Sequence, residues 1–203
     1  MSARPLREVL GATTSVVGEH LTGGLEPGER VSDVEFEDCT FERVTLVGAG
    51  LIRCTLRDCT VVESDLSRVD LTDTLVGGCT IRDSRALGVA WAQTRTSGLI
   101  AEPWTVVDSR LDDSSFIGMS LIEARFVGCR MRGVDFDDAD LRRARFDSCD
   151  LAGARFVRTD LRDADLRSSV ELTLDPRDNT VTGLRLDPAE ALGLLTPFGI
   201  VVD

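Results

Sequence analysis

The chain has no lysine, no tyrosine and a single histidine in 203 residues. Without lysine there is no Schiff-base chemistry and no phosphate-cradling loop of the kind that needs that residue. One histidine, His20, supplies no histidine-rich metal site. It also lies ahead of the repeat described below, so no Ser-His or Cys-His pair forms in the core. No run of 18 apolar residues occurs, so no segment is expected to span a membrane. The N-terminus lacks a basic segment followed by an apolar stretch, so no secretory signal is expected and the protein is placed in the cytoplasm. Six cysteines in such a chain read as reduced packing residues, not as a disulfide frame. No enzymatic activity, cofactor, metal or small-molecule substrate is expected.

What the chain does have is a period. Every fifth residue from Val31 to Leu166 falls in one register: Val31, Phe36, Phe41, Leu46, Leu51, Leu56, and so on to Phe156, Leu161 and Leu166. Only Thr96 in that register is polar, while Ala86 and Ala101 are merely small. Two residues before each member sits a second series of small or apolar residues, among them Val34, Cys39, Cys59, Ala139 and Ala164. All six cysteines and every phenylalanine except Phe198 lie on one series or the other. A period of five fits neither the helix repeat of 3.6 nor the strand repeat of 2. It fits a chain that turns a corner every five residues. Two side chains of each five then point inward and the other three face water.

Ala139-Asp140-Leu141, Ala164-Asp165-Leu166, Cys149-Asp150-Leu151 and Thr159-Asp160-Leu161 carry a resemblance to the pentapeptide repeat family, whose consensus is Ala-(Asp/Asn)-Leu-x-x. Ala144-Arg145-Phe146 and Ala154-Arg155-Phe156 are variants of it. The resemblance implies an all-β solenoid, a right-handed quadrilateral β-helix with four pentapeptides per coil. Residues 29–168 would form about seven coils, a rod of roughly 34 Å at the inter-strand spacing of ~4.8 Å. Cys39, Cys59 and Cys79 lie 20 apart, as do Phe116, Phe136 and Phe156, which supports a coil of that length.

Residues 1–28 read as an N-terminal cap, because an open first coil would expose backbone and core; Val16 and Leu21 keep the phase, but Glu26 breaks it. Pro5 to Leu10 suits a short helix. Between Ser84 and Trp104 the repeat weakens, and two readings stand. Either the coil continues in distorted form with Trp91 or Trp104 partly exposed, or a loop bulges out whose length is a multiple of five. Distortion is the expectation. Beyond Leu166 the period stops. Residues 169–203 then form a C-terminal segment: short strands at Val170–Leu174 and Thr180–Leu186, one helix from Asp187 with Asp as N-cap and Glu190 at N3, and a final strand at Gly199–Val202. Gly183-Leu184-Arg185-Leu186-Asp187-Pro188-Ala189-Glu190-Ala191 and Phe198-Gly199-Ile200-Val201-Val202 resemble the tail of fluoroquinolone-resistance pentapeptide proteins. That resemblance implies a homodimer joined through Leu186, Ala191, Leu192, Leu194, Leu195 and Phe198.

The cysteines would stack in columns, a geometry that does not converge on zinc and is too wide for disulfides. The only functional candidate is the exterior. Net charge is −12 with no basic stripe evident, which disfavours nucleic acid as a partner. A strict 20-residue coil puts two dense acidic clusters on one face: Glu35, Glu37 and Asp38, and Asp135, Asp137 and Asp138. The family resemblance then implies a DNA mimic that engages DNA gyrase or a related topoisomerase and protects it from quinolones or natural poisons. The other reading is a structural scaffold or adaptor with no topoisomerase contact.

Overall fold

The computed structural model describes residues 3–95, 103–195 and 198–200. The chain winds into a parallel β-solenoid with four faces and 20 residues per coil, and each coil pairs in parallel with the next. Face one is a ladder that runs from His20 through Thr40, Thr60, Thr80, Thr105, Arg125, Arg145 and Asp165 to Arg185. Face two carries Thr45, Asp65, Arg85, Arg110, Arg130, Asp150 and Val170. Face three carries Arg30, Gly50 and Asp70, then Ala90, Ser115, Asp135 and Arg155. Face four carries Ser15, Glu35, Thr55, Leu75 and Arg95, then Ser120, Asp140, Asp160 and Thr180. From Val31 to Leu166 the five-residue register is inward among the described residues, with Phe36, Leu111, Phe126, Leu141 and Leu161 fully enclosed.

The corners explain the period. Two residues after the inward register residues, Trp91 excepted, the backbone enters the left-handed region, as at Asp33 (φ 61°), Asp58 (54°), Asp83 (50°) and Asp138 (60°). Aspartate and glycine predominate there because a short polar side chain, or none, tolerates that conformation best. Two kinds of corner result. Where the next coil places Ala or Val at the small inward position, the corner closes on itself. Ala144 N–H donates to Leu141 O at 3.0 Å, and Val69 N–H to Leu66 O at 3.0 Å. Where the next coil places Ser or Cys there, the corner opens and that side chain takes up the freed groups. Thr74 does the same, whereas opposite Thr159 the corner stays closed, with Ala139 N–H still donating to Phe136 O at 3.1 Å. Ser64 Oγ accepts from Val44 N–H at 2.9 Å and donates to Phe41 O at 3.3 Å. The Cys59 and Cys149 thiols donate to Phe36 O and Phe126 O, each at 3.5 Å. Polar atoms in the core are thus backbone substitutes. Ser64→Ala is expected to strand two buried backbone groups and cost about 1–3 kcal/mol, read as a lower melting temperature that Ser64→Thr partly restores.

The core changes character along the rod. The C-terminal half is an aromatic column: Trp91 stacks on Phe116, which stacks on Phe136 at 5.3 Å, which stacks on Phe156 at 5.2 Å. A second column pairs Phe126 with Phe146 at 4.9 Å. The coils before Trp91 use Leu and Val and leave an apolar cavity of about 30 Å³ lined by residues such as Leu46, Leu56, Val61 and Val76. Single-methyl misfits cost there, because a void forfeits dispersion contacts.

Four expectations change. First, Trp91 and Trp104 are both buried, at 2% and 4% exposure, and meet edge to face at 5.0 Å. The register steps by 20 from Leu75 to Arg95 but by 25 from Thr80 to Thr105. Five extra residues therefore lie between Arg95 and Thr105, so the ladder steps over an insertion whose length is a multiple of five, and no distorted 20-residue coil occupies this stretch. Residues 96–102 themselves lie outside the described part. Second, the ladder starts before residue 29: Ser15–Val17 and His20–Gly24 pair with Glu35–Glu37 and Thr40–Thr45. One residue is skipped near Gly23, so Leu25 and not Glu26 points inward, buried at 4%. Gly24 permits this, since a Cβ there would stand 2.2 Å from Thr45 O. The cap is smaller than expected: Arg4–Pro5, paired with Leu21–Thr22, and helix α1 (Leu6–Leu10), which buries Leu6 and Val9.

Third, pairing continues past Leu166 to Arg185, with Leu172 and Leu174 inward. The strands expected at 170–174 and 180–186 are instead one more coil of bridges and turns. Fourth, helix α2 (Pro188–Gly193) lacks the expected capping box. The Asp187 carboxylate accepts from Ser168 N–H and that of Glu190 from Leu172 N–H, so both tie the tail to the last coil. Residues 201–203, where a final strand was expected, lie outside the described part.

Candidate interaction surface

The 25-residue step separates the two acidic clusters. Glu35 stands on face four, in the ladder with Thr55, whereas Asp135 stands on face three, in the ladder with Ser115 and Arg155. They are on adjacent faces, not one. A count that ignores the five extra residues misplaces everything beyond Thr105 by one face, and no signal in the periodicity itself reveals this.

The clusters also differ chemically. Asp137 is almost enclosed, its carboxylate accepting from Arg155 at 2.5 Å, and Asp138 is bound by both arms of the Arg158 guanidinium at 2.6 Å. That hydrogen bond holds the Asp138 carboxyl below its usual range. Glu35, Glu37 and Asp38 are exposed and make no ion pair among the described residues. The first cluster is bare negative charge and the second is largely compensated.

A recurring unit, missed in the sequence, accounts for much of the compensation. In Asp140-Leu141-Arg142, Asp160-Leu161-Arg162, Asp165-Leu166-Arg167 and Asp175-Pro176-Arg177 the Asp starts the face and the Arg two residues on folds back to it. The same Asp accepts the backbone N–H of that Arg, so each pair also braces its corner. The Arg side chains hold the Asp160 and Asp165 carboxyls below their usual value and that of Asp175 down to about 2. Carboxyls depressed in the fold stabilise it above their unfolded value near 4 and cease to do so as pH falls through the folded one. The melting temperature is therefore expected to be flat from about pH 8 to pH 5 and to fall between about pH 4 and pH 2. A melting temperature unchanged at the acid end would show that these exposed pairs contribute nothing.

All six cysteines are free and buried, and columns form as expected: Cys39, Cys59 and Cys79 in one, Cys129 and Cys149 in another. Burial pushes the Cys39 thiol up, and contact with Cys79 together with burial raises Cys59. All six are enclosed, and a thiol that a reagent cannot reach does not act as a nucleophile. Titration with a thiol reagent is expected to find none reactive in the folded protein and six after denaturation. Among the described residues no three His, Cys, Asp or Glu side chains converge on a metal position, and no helix is long and apolar enough to cross a membrane.

The tail presents the one other surface of note. Leu192, Phe198 and Ile200 are about half exposed, Ala191 is exposed, and Leu186, Leu194 and Leu195 are half-buried against the last coil. Helix α2 buries none of its residues. Arg177 lies over the Phe198 ring at 4.9 Å.

A family model described as pentapeptide repeats matches residues 35–73, 109–147 and 139–169 in eight copies. No curated protein sequence matches the chain. Among solved structures, a trypsin-treated variant of QnrB1, a plasmid-mediated fluoroquinolone resistance protein, superposes with a TM-score of 0.64 at 20% identity, covering 100% of each chain. Full-length QnrB1 gives a TM-score of 0.51 at 20% identity over 98% of this chain and 100% of that one. A second trypsin-treated variant gives 0.53 at 22% identity over 93% and 97%. At that identity the likeness is one of fold.

Proposed function

The chain belongs to the pentapeptide repeat family, and from that premise we propose that it is a non-enzymatic interaction module that binds DNA gyrase or a related topoisomerase in place of DNA. Bound there, it would shield the enzyme from fluoroquinolones or natural poisons. The observation that carries this reading is the bare acidic cluster Glu35, Glu37 and Asp38, set on a straight rod of parallel coils. Exposed carboxylates without internal partners project a field that a basic DNA-binding groove would feel, which gives rate and orientation to an encounter. The whole-length likeness to a fluoroquinolone resistance protein supports the partner class. The apolar tail supports an end-to-end homodimer, which would double the rod.

A supercoiling assay with purified gyrase, with and without ciprofloxacin, tests this. Wild type is expected to bind at low salt and to lose affinity as salt rises. Glu35→Gln, Glu37→Gln and Asp38→Asn together are expected to weaken binding more than Asp135→Asn, Asp137→Asn and Asp138→Asn, because the latter carboxylates are already spent on Arg155 and Arg158. If wild type neither binds gyrase nor alters its supercoiling, the topoisomerase reading fails and the scaffold reading replaces it.

A further inference from the structure

Face two contradicts the expectation that the chain has no basic stripe. Arg85, Arg110 and Arg130 occupy consecutive rungs of its ladder, so three exposed arginines stand in register about one inter-strand spacing apart. Like charges directly opposite one another destabilise a sheet. The buried carboxylate set among them is Asp112, 7% exposed, which accepts from Arg130 Nε at 3.1 Å and Arg110 Nη2 at 3.4 Å, while Asp113, Asp65 and Asp83 stand at the margins of the stack. Asp112 also accepts the backbone N–H of Arg132, so it fixes the stems of the stack more than it neutralises them. Arg85 makes no ion pair among the described residues, and neither do its exposed neighbours Arg82 and Arg68. Arg68 leans up the rod across Gly88, its Cγ 3.7 Å from where a Cβ would stand. Gly88, Gly133 and Gly153 stand at the corner that closes this face, in one column with Arg68 and Asp113, and the Asp113 carboxylate lies over Gly133, 2.8 Å from where a Cβ would stand.

We propose that face two, from Arg68 to Arg132, is a docking surface for a short carboxylate-rich segment of a partner protein. Pinned guanidinium groups are planar forks that match carboxylates in bidentate fashion, and a bound acid relieves the repulsion within the stack. The patch is short. Asp65 and Asp150 flank the arginines along the ladder, and the molecule carries −12 overall. A nucleic acid duplex, with a charge about every 1.7 Å along its whole length, would meet those acids and the net field. This surface is distinct from the acidic cluster on face four, so its test does not depend on the topoisomerase reading.

The experiment is an anisotropy titration of the full-length chain with fluorescein-labelled octaglutamate at low ionic strength, alongside octaglutamine and a labelled octathymidylate. Octaglutamate is expected to bind and to weaken steeply with salt, and octaglutamine not to bind. Arg85→Glu leaves Asp112 and its partners intact and is expected to reduce octaglutamate affinity by about tenfold, with an unchanged or raised melting temperature. Should that variant fail to fold, Arg68→Glu, one coil away and equally unpaired, is expected to give a similar loss. Arg57→Ser, Arg125→Ser and Arg185→Ser together remove more positive charge from other faces and are expected to change affinity by no more than about twofold. Absence of binding by wild type, an equal loss in that control, or tighter binding of octathymidylate than of octaglutamate would overturn the proposal.

Discussion

Leu141→Asp is expected to abolish the folded state at room temperature. Leu141 is fully enclosed between the coils of Leu121 and Leu161, and no donor is placed to meet a carboxylate there. Burying an unpaired carboxylate costs several kcal/mol, of order the whole stability of an ordinary domain. The loss spreads, because each coil is the hydrogen-bonding template of the next. The control is Arg125→Asp, an exposed position without an ion pair. Arg142, one residue from Leu141, is a poorer control because it bridges Asp140 and Asp160, and an aspartate there would gather three carboxylates. Circular dichroism melts of the two variants decide the matter: similar melting temperatures would refute the inward register.

Leu192→Asp combined with Phe198→Asp is expected to convert a dimer to a monomer outright. Both side chains are about half exposed and α2 contributes none of its residues to the core, so the substitution leaves the last coil closed. The melting temperature of the monomer is then expected to stay near that of the wild type at low protein concentration. Deleting residues 187–203 is the blunter variant, since it also removes the Asp187 and Glu190 acceptors that satisfy Ser168 and Leu172. Sedimentation equilibrium at micromolar concentration reads the outcome. A wild-type monomer there removes the end-to-end pairing from the proposed function.

The solenoid was legible because its core demands one side chain from the same two positions in every five, and Phe136, Leu141 and Phe146 meet that demand without exception. The ends were harder. Leu25 hides behind a skipped residue at Gly23, and Glu171 interrupts the phase just before Leu172 turns inward, so a count by fives stops one coil early at each end. Inside and outside were read correctly while faces were not: periodicity fixes which way Asp135 points but not which side of the rod it stands on. The arginine stack was invisible for the same reason, since Arg85, Arg110 and Arg130 are 25 and 20 residues apart and become neighbours only once the longer step is known. The open corners did leave a trace, a Ser, Thr or Cys in the small inward series 20 residues after the corner it serves, as Ser64 follows Val44.

The longer step between Thr80 and Thr105 has a bearing on how such a rod can vary. The chain leaves one wall at Arg95, paired with Leu75, and is back by Thr105, paired with Thr80, with Trp104 already buried against Trp91. The ladder fixes where the chain leaves and rejoins and not how many residues lie between, and closing a longer connection costs only slowly more. A change of one residue within a wall needs a local register shift such as the one at Gly23, without which the following side chains would turn from core to solvent. The same change in that connection would leave all later coils where they are. Between Arg95 and Trp104, natural variation or an inserted peptide can change the length of the chain without renegotiating the interior of the rod.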